Sequence, residues 1–264
     1  MKNKLSLRLT ESAMMIALST ILSMIKLADL PYGGSITAAS MLPLLIIAQR
    51  YGVVWGLFTG SVHGVIQLLL GTSTLSYVTG WVSVAAVVIL DYILAFALAG
   101  LGGATRKMKN GRYAAVLGAL ILCAARYACH VVAGATVWAG LSIPTSAALG
   151  YSLIYNATYM IPETVVLIAA GYFIASSIDF REAKMKQMKR ERINVWNILS
   201  VLSAAIAVVF DTVTIFARLQ NGETGEFDVT GIAGVNFTAV AIVTAICMAL
   251  AIVCAVAGRN KRER

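Results

Sequence analysis

A succession of long apolar runs governs what this chain can become. They lie near residues 10–28, 38–49, 53–71, 81–104, 113–138, 147–178, 194–217 and 232–257. A helix crosses the hydrocarbon core with about 20 apolar residues. Backbone polar groups find no water there, so only helices or a closed barrel can span it, and these runs are far too long for barrel strands. The second run is short and carries Pro43, which predicts a tilted or broken helix. With 59% hydrophobic and 12% charged residues, the chain also lacks the charge to cover a soluble domain of its size. The expected fold is an all-α polytopic bundle of eight helices in a lipid bilayer.

The net charge of +9 is a topology signal and not a nucleic-acid footprint. Of the 21 Lys and Arg, 18 cluster around residues 2–8, 50, 106–112, 181–192 and 259–264, at alternate ends of the runs. Under the positive-inside rule this predicts a multi-pass cell-membrane protein with both termini in the cytoplasm. Lys26, Arg126 and Arg218 fall elsewhere. The first run follows basic residues, as in a signal peptide, but it lacks a small-residue cleavage site and ends at Lys26, so an uncleaved helix is expected. Cys123, Cys129, Cys247 and Cys254 sit in apolar runs without CxxC spacing and read as buried thiols. Neither a metal nor a cofactor is expected.

The sharpest change of composition is "DFREAKMKQMKRER", residues 179–192, charged and free of Gly and Pro. It predicts a helical cytoplasmic connector (179–193) between a six-helix module (1–178) and a two-helix transmembrane hairpin with a basic tail (194–264). No sequence repeat relates the halves, which argues against an inverted-repeat transporter. Gly56, Gly60 and Gly64 form a GxxxGxxxG ridge suited to close helix packing, and Ala13 and Ala17 form an AxxxA pair in the first helix.

Ionisable side chains at bilayer depth are costly and face a partner or a cavity. Here they are Asp91, Arg126, His130, Glu163 and Asp211, with His63 a further candidate. In "RYACHVVAGATVWAG", Arg126, His130, Gly134 and Trp138 recur every four residues and share one helix face. In the sixth helix Tyr151, Tyr155 and Tyr159 repeat at the same interval, with Asn156 beside them. The two stripes and Asp91, next to Tyr92, predict an aromatic, partly charged pocket in the outer half of the bundle. The segment "LADLPYGGSITAAS" is long enough to fold over it. An indole and several phenols favour a flat cationic ring. A carboxylate can neutralise the cation, while Asn156 and His130 can read ring heteroatoms. Structural alternatives stand beside this reading: Arg126 pairing with Asp91 or Glu163, an interfacial aromatic belt, and His63 bonded to Gln67.

No HExxH, GxSxG or P-loop is present, so ATP hydrolysis would have to come from other subunits. Two function classes remain: a substrate-binding subunit without enzymatic activity, or an autonomous secondary transporter of a small organic cation with Asp91, Glu163 and Asp211 coupling proton flow.

The first 178 residues resemble the thiamine-binding S components of energy-coupling factor transporters, a six-helix membrane family. The resemblance is carried by "LPYGGS" with "MLPLLIIAQRYGVVWGLFTG", by "LDYILAFALAGL", by "RYACHVVAGATVWAG" and by "YSLIYNATYMIPE", in that order. It implies a thiamine site on His130, Gly134 and Trp138, the last as stacking platform, with Arg126 at a basic position. It further implies contacts from Tyr151 and Asn156, a carboxylate at Asp91 before Tyr92, and an added aromatic wall from Trp81 or Tyr77. It also implies that Ala13 and Ala17 dock on a transmembrane coupling subunit driven by ATPase subunits. This chain departs from the family pattern in having Asp91 where a longer Glu is usual, Tyr32 and two glycines in the first loop, and two extra helices after residue 193.

Overall fold

The structure, a computed structural model, describes residues 2–29, 34–78, 80–137, 148–181, 186–187, 195–219 and 229–260. Its helices are α1 (Lys2–Met24), α2 (Leu42–Tyr51), α3 (Val53–Leu70), α4 (Trp81–Thr105), α5 (Gly111–Thr136), α6 (Ala148–Ser177), α7 (Val195–Phe216) and α8 (Phe237–Asn260). All but α2 contain a stretch long and apolar enough to cross a membrane, seven in all. The fold is the expected all-α membrane bundle. The chain divides into two compact units, Met1–Met188 and Lys189–Arg264.

In the first unit, Pro43 starts α2, where its missing N–H costs nothing. Ten residues rise only about 15 Å, half the hydrocarbon core. An antiparallel pair, β1 (Lys26–Asp29) and β2 (Ser35–Thr37), and a turn through Ser40 precede α2. Such backbone is tolerated at depth where it lines a cavity. Below it, Ile16, Met41, Leu44, Leu45, Ala119, Leu122 and Leu167 join α1, α2, α5 and α6 in one buried cluster.

The glycine ridge of α3 packs against α4. A Cβ on Gly56 would stand 2.7 Å from Gly100 Cα, one on Gly64 would stand 2.7 Å from the Tyr92 carbonyl oxygen, and one on Gly60 would strike the Phe96 carbonyl. α1 is held differently, by polar side chains. Trp55 Nε1 donates to Ser12 Oγ (2.8 Å) and Gln67 Nε2 to Ser23 Oγ (2.8 Å), while His63 Nε2 and Ser19 Oγ share a hydrogen bond of 3.3 Å. The Arg8 guanidinium lies 3.8 Å over the Trp55 ring. His63 and Gln67 thus both reach across to α1, where the sequence suggested a bond between them. Ala13 and Ala17 lie on the exposed side of α1.

The helical connector expected over 179–192 is corrected at its start. Ile178–Asp179 (β3) pairs antiparallel with Lys186–Gln187 (β4). Arg181 donates through Nε and Nη2 to both Asp179 carboxylate oxygens and holds that carboxyl below its ordinary range. Arg181 Nη1 donates to the Met108 carbonyl, so the segment is drawn toward the α4–α5 turn in place of continuing α6.

Within the second unit, α7 and α8 are tied by Ser200 Oγ to the Ala251 carbonyl, Ser203 Oγ to the Cys247 carbonyl, and Thr244 Oγ1 to Asp211 Oδ2 (2.7 Å). Asp211, unexplained in the sequence, serves this helix pair. Cys123 and Cys129 are buried, Cys247 and Cys254 half-buried, and all four are free thiols.

Candidate functional site

A cavity of about 580 Å³ opens between α3, α4, α5, α6 and the β1–β2 pair. Among its lining residues are Asp91, Tyr92, Arg126, His130, Gly134, Tyr151 and Asn156. The stripe on α5 and the stripe on α6 do meet.

Asp91 and Tyr92 project from a π-helical stretch of α4, Val88–Leu94. The wider turn is rare and concentrates at functional positions. No Gly or Pro marks it, so nothing in the sequence announced it. Asp91 Oδ1 accepts from His130 Nδ1 at 2.9 Å. The bond orients the imidazole, and in its neutral form leaves Nε2 as an acceptor. Tyr92 donates its hydroxyl to the Gly71 carbonyl (3.1 Å), closing the cavity at the end of α3.

Arg126 is 5% exposed and Glu163 4%, and both line the cavity. Their ion pair is long, 3.9 Å from Nη1 to Oε2. Of the two structural pairings open to Arg126, the one with Glu163 forms, while Asp91 takes His130. The Phe96 ring lies 4.9 Å from the guanidinium carbon. Thr37 Oγ1 and Ser40 Oγ stand 3.1 and 3.4 Å from Glu163 Oε1. The segment after β2 is therefore fastened to α6.

Gly134 has a packing role as well as a place in the lining. A Cβ there would collide with Ser152 Oγ, so the bare position lets α5 and α6 approach. Asn156 is largely committed to its own helix. Its Nδ2 donates to Ser152 O (2.8 Å) and Oγ (3.1 Å), and its Oδ1 accepts from Tyr159 OH (2.6 Å). Only a second lone pair on Oδ1 remains to read a ligand, less than the sequence suggested. Tyr151 and Tyr155 stack at 6.4 Å, and Tyr155 meets Tyr159 edge-on at 5.8 Å. Tyr155 OH accepts from the Gly34 backbone N–H (3.2 Å), which ties the residue before β2 to α6.

Trp81 is not brought to the cavity. It begins α4 at 83% exposure and is absent from the lining. Trp138 and Tyr32, and the side chain of Tyr77, lie outside the described residues. Missed in the sequence were Lys26, Thr37, Ser40, Gln67 and Phe96, all of which line the cavity. Phe96 and Gln67 follow helical spacing from Tyr92 and His63, the one signal that pointed to them. Among the described residues no cluster of His, Cys, Asp and Glu is arranged to hold a metal.

The family described as "Thiamine transporter protein" matches residues 9–181. The thiamine transporter ThiT of Bacillus subtilis (strain 168) is 32% identical over 177 residues, which are 62% of this chain and 88% of that protein. The protein of the same name from Lacticaseibacillus paracasei is 31% identical over 143 residues, 48% of this chain and 67% of that one. A solved structure of ThiT from Listeria monocytogenes superposes with a TM-score of 0.52 at 26% identity, covering 65% of this chain and 93% of that one. That family consists of transport proteins and not enzymes. Every residue lining the cavity falls inside the matched segment, and the chain belongs to the thiamine transporter family.

Proposed function

We propose that this chain is the thiamine-binding S component of an energy-coupling factor importer. The observation that carries the proposal is one cavity lined by both the Asp91 carboxylate and the stacked Tyr151 and Tyr155. A thiazolium ring is flat and permanently positive, and it gains both from aromatic faces and from a carboxylate. The relatives' name supplies the ligand, thiamine or a close analogue. Energy would enter through a transmembrane coupling subunit and ATPase subunits, docked at the exposed Ala13 and Ala17, where small side chains allow close helix approach. Both termini would lie in the cytoplasm, as the basic clusters predict.

Titration of the purified chain with thiamine, followed by tryptophan fluorescence, tests the reading. Saturable quenching is expected, largely lost in Trp138→Ala. A folded preparation without saturable binding overturns it. Uptake by the reconstituted chain alone, driven by a pH gradient, would instead favour the autonomous secondary transporter.

A further inference from the structure

Arg126 is buried in the cavity wall, yet among the described residues its Nε and Nη1 find no hydrogen-bond partner. Unmet donors on a buried guanidinium are costly. Its nearest carboxylate does not repair this, because Glu163 Oε2 stands 3.9 Å away, too far for a hydrogen bond. The geometry also resists simple closure of the gap. Thr37 and Ser40 hold Glu163 by Oε1, and Arg126 is seated against the Phe96 face. Two opposite charges thus face one cavity across a space that neither fills.

The chemistry of a group that completes this arrangement is narrow. It must accept from the guanidinium and donate to the carboxylate. A purely anionic group meets repulsion from Glu163, and a purely cationic one meets repulsion from Arg126. An apolar group leaves both unmet. We propose that Glu163, together with Arg126, is a specificity-determining residue that reads a neutral donor–acceptor pair on the ligand. Such a pair is a primary hydroxyl, or a ring nitrogen beside an exocyclic amine. The inference rests on the thiamine reading above and deepens it. Asp91 meets the ligand's charge, and the Arg126–Glu163 gap reads its uncharged polar edge.

Calorimetric binding of three probes to the full chain, Glu163→Gln and Arg126→Lys tests this. The probes are thiamine, thiamine lacking its side-chain hydroxyl, and thiamine with a ring carbonyl in place of the exocyclic amine. In the parent, one analogue is expected to bind about tenfold or more weakly than thiamine. That penalty should fall to about twofold in Glu163→Gln, and likewise in Arg126→Lys, which keeps the charge without the planar fork. The analogue that shows the effect names the group that is read. Should Glu163 only anchor Thr37 and Ser40, Glu163→Gln would weaken all three probes equally, and the inference would be overturned. A parent that binds no thiamine overturns the proposed function as well. A parent that binds thiamine while both penalties persist in the variants overturns this inference alone.

Discussion

Asp91 does two things with one carboxylate: it takes the His130 Nδ1–H and lines the cavity. Asp91→Asn keeps the size and removes the charge. It should weaken thiamine binding by about 1–3 kcal/mol, the range of a charge-assisted contact. Asp91→Glu should retain binding, being the residue usual at this position among the proteins the sequence resembles. Isothermal titration of both variants decides whether charge is what matters; unchanged affinity in Asp91→Asn would make the carboxylate a holder of His130 only. At Gly134 steric contact dominates. Gly134→Ala drives a methyl into Ser152, and overpacking of this kind costs about 1–3 kcal/mol. A lowered melting temperature is expected, partly recovered when Ser152→Ala is added. The two stripes were readable in the sequence because four-residue spacing on a helix decides which side chains share a face. Which charge pairs with which was not readable. His130 takes Asp91 and Arg126 takes Glu163 only because a π-helical stretch and the packing of α5 on α6 set those distances.

Among the elements, α1 carries the coupling prediction. Its polar side grips α3, and Ala13 and Ala17 face away from the bundle. Ala13→Trp with Ala17→Trp should leave thiamine affinity intact while abolishing ATP-driven uptake in cells. Loss of binding would place the pair inside the bundle after all, and unimpaired uptake would move the docking surface elsewhere. The long helices were legible from apolar length alone. The short α2 was announced by its brief apolar run and Pro43, but the β1–β2 pair and the turn back at Ile178 were not legible. Each depends on contacts far along the chain: Gly34 on Tyr155, Thr37 and Ser40 on Glu163, Arg181 on Met108.

For the molecule as a whole, the family match and the cavity both end before α7, and α7 and α8 bond to each other through Ser200, Ser203 and Thr244. A chain ended after residue 188 should therefore still bind thiamine, within about threefold of the full-length protein when both are titrated in the same detergent. Abolished binding by a folded truncated chain would assign α7 and α8 a direct part in the site. The glycine ridge of α3 bears on what such a site can accommodate. Backbone against backbone has no rotamers to exchange and so no slack to absorb a larger guest. The jaw of the cavity that bears Asp91 and Tyr92 is thus a fixed gauge, set by Gly56, Gly60 and Gly64. Any tolerance for bulkier rings must come from the opposite jaw, where the wall is made of the side chains of Tyr151, Tyr155 and Tyr159 and not of backbone. Analogues enlarged on the side facing α4 should be refused even when their charge and polar groups are ideal.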